Sequence, residues 1–129
     1  MADLSAGAGA SKRDFLPAGS ATMADFERID MRVGRIIAAE PFPRARVPAY
    51  RLTLDFGRHG TRVSSARLPG TYPDPAALIG RLVIAVVNFA SRNIAGFESQ
   101  VLVLGALPGD GSIPLLGVDD GARPGDPVG

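Results

Sequence analysis

The sequence predicts an all-β fold: a five-stranded Greek-key barrel with one short helix between its third and fourth strands. Three observations carry that expectation. Apolar and polar residues alternate around Met31 and Val33, and again through Tyr50, Leu52, Leu54 and Phe56, which is the period of half-buried strands. Two unbroken apolar runs follow, residues 82–87 and 101–104, too short for typical helices and rich in β-branched side chains. Gly (16) and Pro (11) together exceed a fifth of the 129 residues, so elements are short and turns frequent.

Each element has its own warrant. Residues 1–24 are small, Ala/Gly/Ser-rich and aperiodic, and are expected to form a disordered tail because they bury too little to offset ordering entropy. They lack the apolar core of a secretory signal. Met23 is a second candidate start, with residues 1–22 an upstream extension. The folded domain is expected over residues 25–129. Its first strand begins at Met31 and continues through Ile36 and Ile37, with Gly34 marking a bulge or a close backbone approach. Pro41, Pro43 and Pro48 make the next stretch a loop. A second strand runs from Tyr50 to Phe56, and Gly57-Arg58-His59-Gly60 reads as a hairpin turn. Residues 61–68 form a third, more polar strand. Asp74 is placed as N-cap, Pro75 as the first helical residue and Gly80 as the stop of a short helix. Residues 82–87 form a strand buried on both faces, residues 101–104 another, and residues 113–118 a short last strand among Pro/Gly turns.

Strand–strand–strand–helix–strand–strand is the order of an OB-fold. A small barrel or split sandwich of another topology fits the same pattern.

Composition excludes several chemistries. The absence of cysteine removes disulfides, thiol catalysis and thiolate zinc sites. His59 is the single histidine; it stands in a predicted turn with no partnered nucleophile, so no enzyme, metal or cofactor is read. Asp119-Asp120 reads as a solvated turn. The formal charge of +1 is no strong electrostatic attraction to nucleic acid or membrane. Thirteen of the 14 basic residues are arginine, a bias that genomic base composition also produces.

Two blocks are more specific: residues 29–57, IDMRVGRIIAAEPFPRARVPAYRLTLDFG, and residues 87–105, VNFASRNIAGFESQVLVLG. With Ser64-Ser65-Ala66 they resemble the CsaA family of chaperone-like proteins, within the wider group of tRNA-binding domains related to the methionyl-tRNA synthetase C-terminal module. The resemblance covers residues 25–129. It implies an OB-fold homodimer in the cytoplasm that assists export of precursor proteins by binding unfolded polypeptide and the translocation ATPase. The second block departs from the family pattern: Ala90-Ser91-Arg92 precedes Ile94, and Glu98-Ser99-Gln100 replaces a Lys-Ser-Glu run, altering the charge there.

The candidate site follows from these blocks. Asn88, Arg92, Ser99 and Gln100 line a mixed slot with hydrogen-bonding groups and Phe97 supplies an apolar wall; Arg44, Arg46, Ser64 and Ser65 join them as candidate peptide- or tRNA-binding residues. Such a slot suits an extended peptide. The alternative ligand is tRNA, bound in a groove lined by Arg32, Arg35, Arg44, Arg46, Arg51 and Arg92. The near-neutral charge and the lack of Trp weigh against tight general RNA binding.

Overall fold

The computed structural model describes residues 14–129; most of the expected tail, residues 1–13, lies outside them. Residues 14–22 form exposed turns. A short helix follows, α1 (Met23–Glu27), where the sequence reading placed the end of the tail and the first strand-like residues. Its cause is a capping box: the Thr22 hydroxyl accepts from the Asp25 amide at 3.1 Å, and the Asp25 carboxylate accepts from the Thr22 amide at 2.9 Å. Two orphan amides are thereby satisfied reciprocally. The helix buries no residue, so it left no apolar period to read.

Seven strands follow: β1 (Met31–Pro41), β2 (Tyr50–Asp55), β3 (Thr61–Ala66), β4 (Leu82–Val86), β5 (Arg92–Ile94), β6 (Phe97–Ser99) and β7 (Leu102–Val103). Five of them make one antiparallel sheet in the order β3-β2-β1-β4-β7. The sheet curls into a nearly closed barrel, the expected OB-fold.

β1 is long enough to pair with β4 through its first half and with β2 through its second. It changes partner by bending. The bulge falls between Ile36 and Ala38, leaving Ile37 unpaired and exposed, as an extra residue in a strand must be. Gly34 has the other role anticipated for it. A Cβ there would stand 2.8 Å from the Phe56 ring, so the glycine lets the core aromatic lie against the strand backbone. Between β3 and β4, Asp74 caps a single 3₁₀ turn (Pro75–Leu78), accepting from the Ala76 amide at 3.0 Å. The expected helix is thus one turn, and its Leu78 is fully buried at the barrel's end.

The core gathers Ile36, Leu52, Leu54, Phe56, Leu68, Leu78, Val83 and Ala85. Strand alternation puts Val83 and Ala85 inside; Leu82, Ile84 and Val86 therefore face outward. The register sets them beside outward residues of their neighbours: Met31 opposite Val86, Val33 opposite Ile84, Leu102 opposite Val86. This apolar stripe explains the unbroken run at residues 82–87. Val83, Ala85 and Val86 are buried, whereas Leu82 and Ile84 are half-buried, so the run is covered on its inner face and partly on its outer one.

Two connections complete the barrel. Along β3 the neighbour is residues 99–101, and the joint is made largely by side chains. The Val63 amide donates to the Gln100 side-chain oxygen at 3.0 Å, and the Ser65 amide to the Ser99 hydroxyl at 3.0 Å. Ser64 donates from its buried hydroxyl to the Val101 carbonyl at 2.8 Å. One backbone bond, from Gln100 to the Val63 carbonyl at 2.9 Å, joins them. At the start of β1, where β2 does not reach, the C-terminal segment takes the vacant edge. The Val33 amide donates to Asp126, Gly125 donates to the Val33 carbonyl, and Val128 donates to the Met31 carbonyl, at 2.7–2.9 Å.

Two expectations require correction. Residues 88–100 contain a β-hairpin, β5–β6, where only a loop was expected. Its two-residue turn is Ala95-Gly96, with φ of 50° and 86°. Both positive values make it the turn usually signalled by Asn-Gly, and alanine hides the signal. The last strand, residues 113–118, is reduced to isolated bridges from Leu115 to Gly105 and from Gly117 to Val83, because Pro114 and Gly117 interrupt any ladder.

Ala95 pays a steric penalty at φ 50° that asparagine tolerates better. Ala95→Asn is expected to raise stability by about 0.5–1 kcal/mol. A thermal midpoint unchanged or lowered relative to wild type would contradict this.

Candidate ligand-binding face

The Pro41 end of β1, the loop from Phe42 to Ala49, and the β5–β6 hairpin meet on one side of the barrel. Prolines stiffen the loop, since each fixes its own φ and restricts the residue before it. Pro41, Pro43, Pro48 and Pro69 wall an open cavity of about 350 Å³, together with Phe42 and Arg46. Its lining is mostly apolar. Phe42 is 5% exposed and meets Phe97 of β6 edge to face, with ring centroids 5.5 Å apart at 63°.

Arg51 stands over this pair. It points outward from β2, between the inward Tyr50 and Leu52. Its guanidinium lies 5.5 Å from the Phe42 centroid and 6.0 Å from that of Phe97. Each such contact contributes about 0.5–1 kcal/mol at an exposed site. Glu40 of β1 approaches Arg51 at 3.4 Å with both side chains well exposed, so solvent screens the pair and it contributes little. The result is a cation held near two rings, beside an apolar hollow.

The expected site residues separate into three groups. Arg46 lines the cavity, Arg44 is exposed on the same loop, and Phe97 joins Phe42. Arg92 is exposed on β5 opposite Ser99, on the hairpin face that also carries Phe97. These four belong to one side of the molecule. Ser64, Ser99 and Gln100 form the second group. Their polar atoms bond within the joint along β3, and Ser64 and Ser99 are buried. Ser65 lies in the same joint, opposite Arg51 in register. Asn88 stands apart, at the Met31 end of β1. Its side-chain oxygen accepts from the Asp30 amide at 2.9 Å and its nitrogen donates to the Arg28 carbonyl at 2.8 Å, which ties the segment after α1 to the end of β4. Phe42 and Glu40 were not anticipated, and Arg51 only among the arginines of an RNA groove. The available signal was a phenylalanine between two prolines, followed by an arginine at an outward strand position.

Electrostatics elsewhere are quiet. The Asp110 carboxyl is held below the usual carboxylate range by the Ser112 hydroxyl and amide, which donate to it at 2.6 and 2.9 Å on an exposed turn. Among the described residues no cluster of His, Asp and Glu is placed to hold a metal ion, and no helix is long and apolar enough to cross a membrane. His59 sits exposed in the 3₁₀ turn Gly57–His59 between β2 and β3.

Comparison with known proteins bears on this face. The profile of the putative tRNA binding domain matches residues 31–127. The chaperone CsaA of Bacillus anthracis has a solved structure that superposes with a TM-score of 0.81 at 42% identity, covering 86% of this chain and 100% of that one. The CsaA chaperone protein of Picrophilus torridus gives 0.77 at 44% identity, covering 84% and 99%. The methionine–tRNA ligase of Neisseria meningitidis serogroup B is 42% identical over 113 residues, which are 87% of this chain but 16% of the ligase. The chain thus matches a small part of that enzyme and the whole of the CsaA proteins. It belongs to the tRNA-binding domain family, as a CsaA-like member.

Proposed function

We propose that this protein is a non-enzymatic, cytoplasmic chaperone that binds unfolded or precursor polypeptide and assists its export as a homodimer, with the translocation ATPase as a partner. The observation that carries this reading is the proline-walled apolar cavity between Arg46 and the Phe42–Phe97 pair. A stiff apolar hollow with few polar groups takes a side chain of an extended segment at low ordering cost. The likeness to the CsaA chaperones supports it. A second reading, structure-specific tRNA binding, is favoured by the domain match and by Arg51 over two rings, since cations on aromatic platforms also receive unstacked bases.

Parallel titrations with an unfolded precursor peptide and with bulk tRNA, each at two salt concentrations, separate the readings. Binding of a peptide without charged side chains is expected to change little with salt and to weaken roughly tenfold in Phe97→Ala, through loss of aromatic contact area. Tight tRNA binding that falls steeply with salt, with no peptide binding, would replace the first reading by the second.

Pairing of two copies is supported by the outward apolar stripe of Met31, Ile84 and Leu102, which a two-fold interface would bury. Leu102 is 42% exposed. Leu102→Glu is expected to convert dimer to monomer in sedimentation at micromolar concentration without loss of fold. Wild-type protein sedimenting only as a monomer would overturn the pairing.

A further inference from the structure

Resting on the polypeptide-binding reading, we infer that this face selects its clients by sequence, taking an extended segment in which one large apolar side chain is flanked by carboxylates. The anchor enters the hollow walled by Pro41, Pro43, Pro48 and Pro69. That hollow is open and, at about 350 Å³, has room for a leucine or phenylalanine side chain. Its proline walls donate no hydrogen bonds, which leaves Arg46 as the charged donor on its lining.

Charge around the hollow decides the flanks. Arg46 lines it on one side. Arg51 stands beyond Phe42, with its guanidinium 5.5 and 6.0 Å from the centroids of the two rings. Arg44 and Arg92 are exposed on the adjoining loop and hairpin. The acidic groups nearby are fewer. Glu98 pairs with Asn93 on the opposite face of the hairpin from Phe97. Glu40 makes a single 3.4 Å contact with Arg51 and is itself 66% exposed. A guanidinium carries five N–H donors, so most of those on Arg51 stay available to an incoming carboxylate in a planar, two-pronged contact. A basic flank would meet arginines with only Glu40 to offset them. The contact of Arg51 with the two rings also lowers the entropy lost when it binds.

Short fluorescein-labelled peptides with one central leucine test this. Their flanking residues are aspartate and glutamate in one, serine and glutamine in a second, lysine and arginine in a third. Fluorescence anisotropy with the full chain is expected to rank them acidic, neutral, basic, with the acidic peptide about tenfold tighter than the neutral one. In the Arg46→Gln/Arg51→Gln double variant the ratio of acidic to neutral affinity is expected to fall to about twofold or less. A circular dichroism spectrum and thermal midpoint like wild type show that the variant is folded. Equal binding of all three peptides by wild type overturns the selectivity and leaves polypeptide binding standing. An acidic preference unchanged in the double variant overturns the assignment to Arg46 and Arg51. Binding of tRNA but of no peptide overturns both the selectivity and the reading beneath it.

Discussion

Replacing Gly125 with alanine is expected to destabilise the protein by about 3 kcal/mol or more. Two penalties coincide there. The backbone has φ of 94°, a region that costs a residue with a side chain about 1–3 kcal/mol. An added Cβ would also lie 2.5 Å from the carbonyl oxygen of Phe56, and backbone cannot yield as a flexible side chain can. The Gly125 amide donates to Val33 at 2.7 Å, and its carbonyl accepts from the Arg32 guanidinium at 3.1 Å. Displacing Gly125 therefore undoes the attachment of the C-terminal segment to β1. Urea unfolding of the two proteins measures the difference. A midpoint equal to wild type would mean that this segment is not docked in solution.

The second large effect falls on residues that the sequence suggested as ligand contacts. Ser99→Ala/Gln100→Ala is expected to cost about 2–6 kcal/mol, because the amides of Val63 and Ser65 lose the acceptors they use along β3 and each unsatisfied partly buried donor costs about 1–3 kcal/mol. Denaturant midpoints read the loss directly. If the double variant melted like wild type while losing its ligand, these side chains would be contacts after all and the joint would be closed by something else.

That prediction marks where sequence legibility ends. The period-two strands were readable because one face of each meets the core: Tyr50 and Leu52 are buried and Arg51 between them is exposed. The apolar run in β4 was readable because both of its faces are at least half covered. Asp74 and Pro75 act locally, within one turn, so their role was written in adjacent residues. The joint along β3 was not readable. Ser64 meets Val101 across 37 residues of chain, and no local pattern separates a serine that closes a barrel from one that awaits a ligand. Asn88 is similar, binding Arg28 and Asp30 some 60 and 58 positions earlier. The hairpin of β5 and β6 stayed hidden because alanine occupies the first turn position. Of the candidate site, Arg44, Arg46, Arg92 and Phe97 fall on one side because a proline-stiffened loop and that hairpin converge there. Phe42, which joins the two, was masked by its place inside an apparent loop.

The docking of the C-terminal segment on β1 has a consequence for how the chain is made. Arg32 and Gly125 are 93 residues apart in sequence, yet the first half of β1 has its second edge covered only by residues 125–128. During synthesis that edge stays open until nearly all the described residues have left the ribosome. Contacts between such distant positions slow folding, since loop-closure entropy is lost before pairing offsets it. The nascent chain therefore presents a bare strand edge until residues 125–128 emerge, and completes its barrel only then.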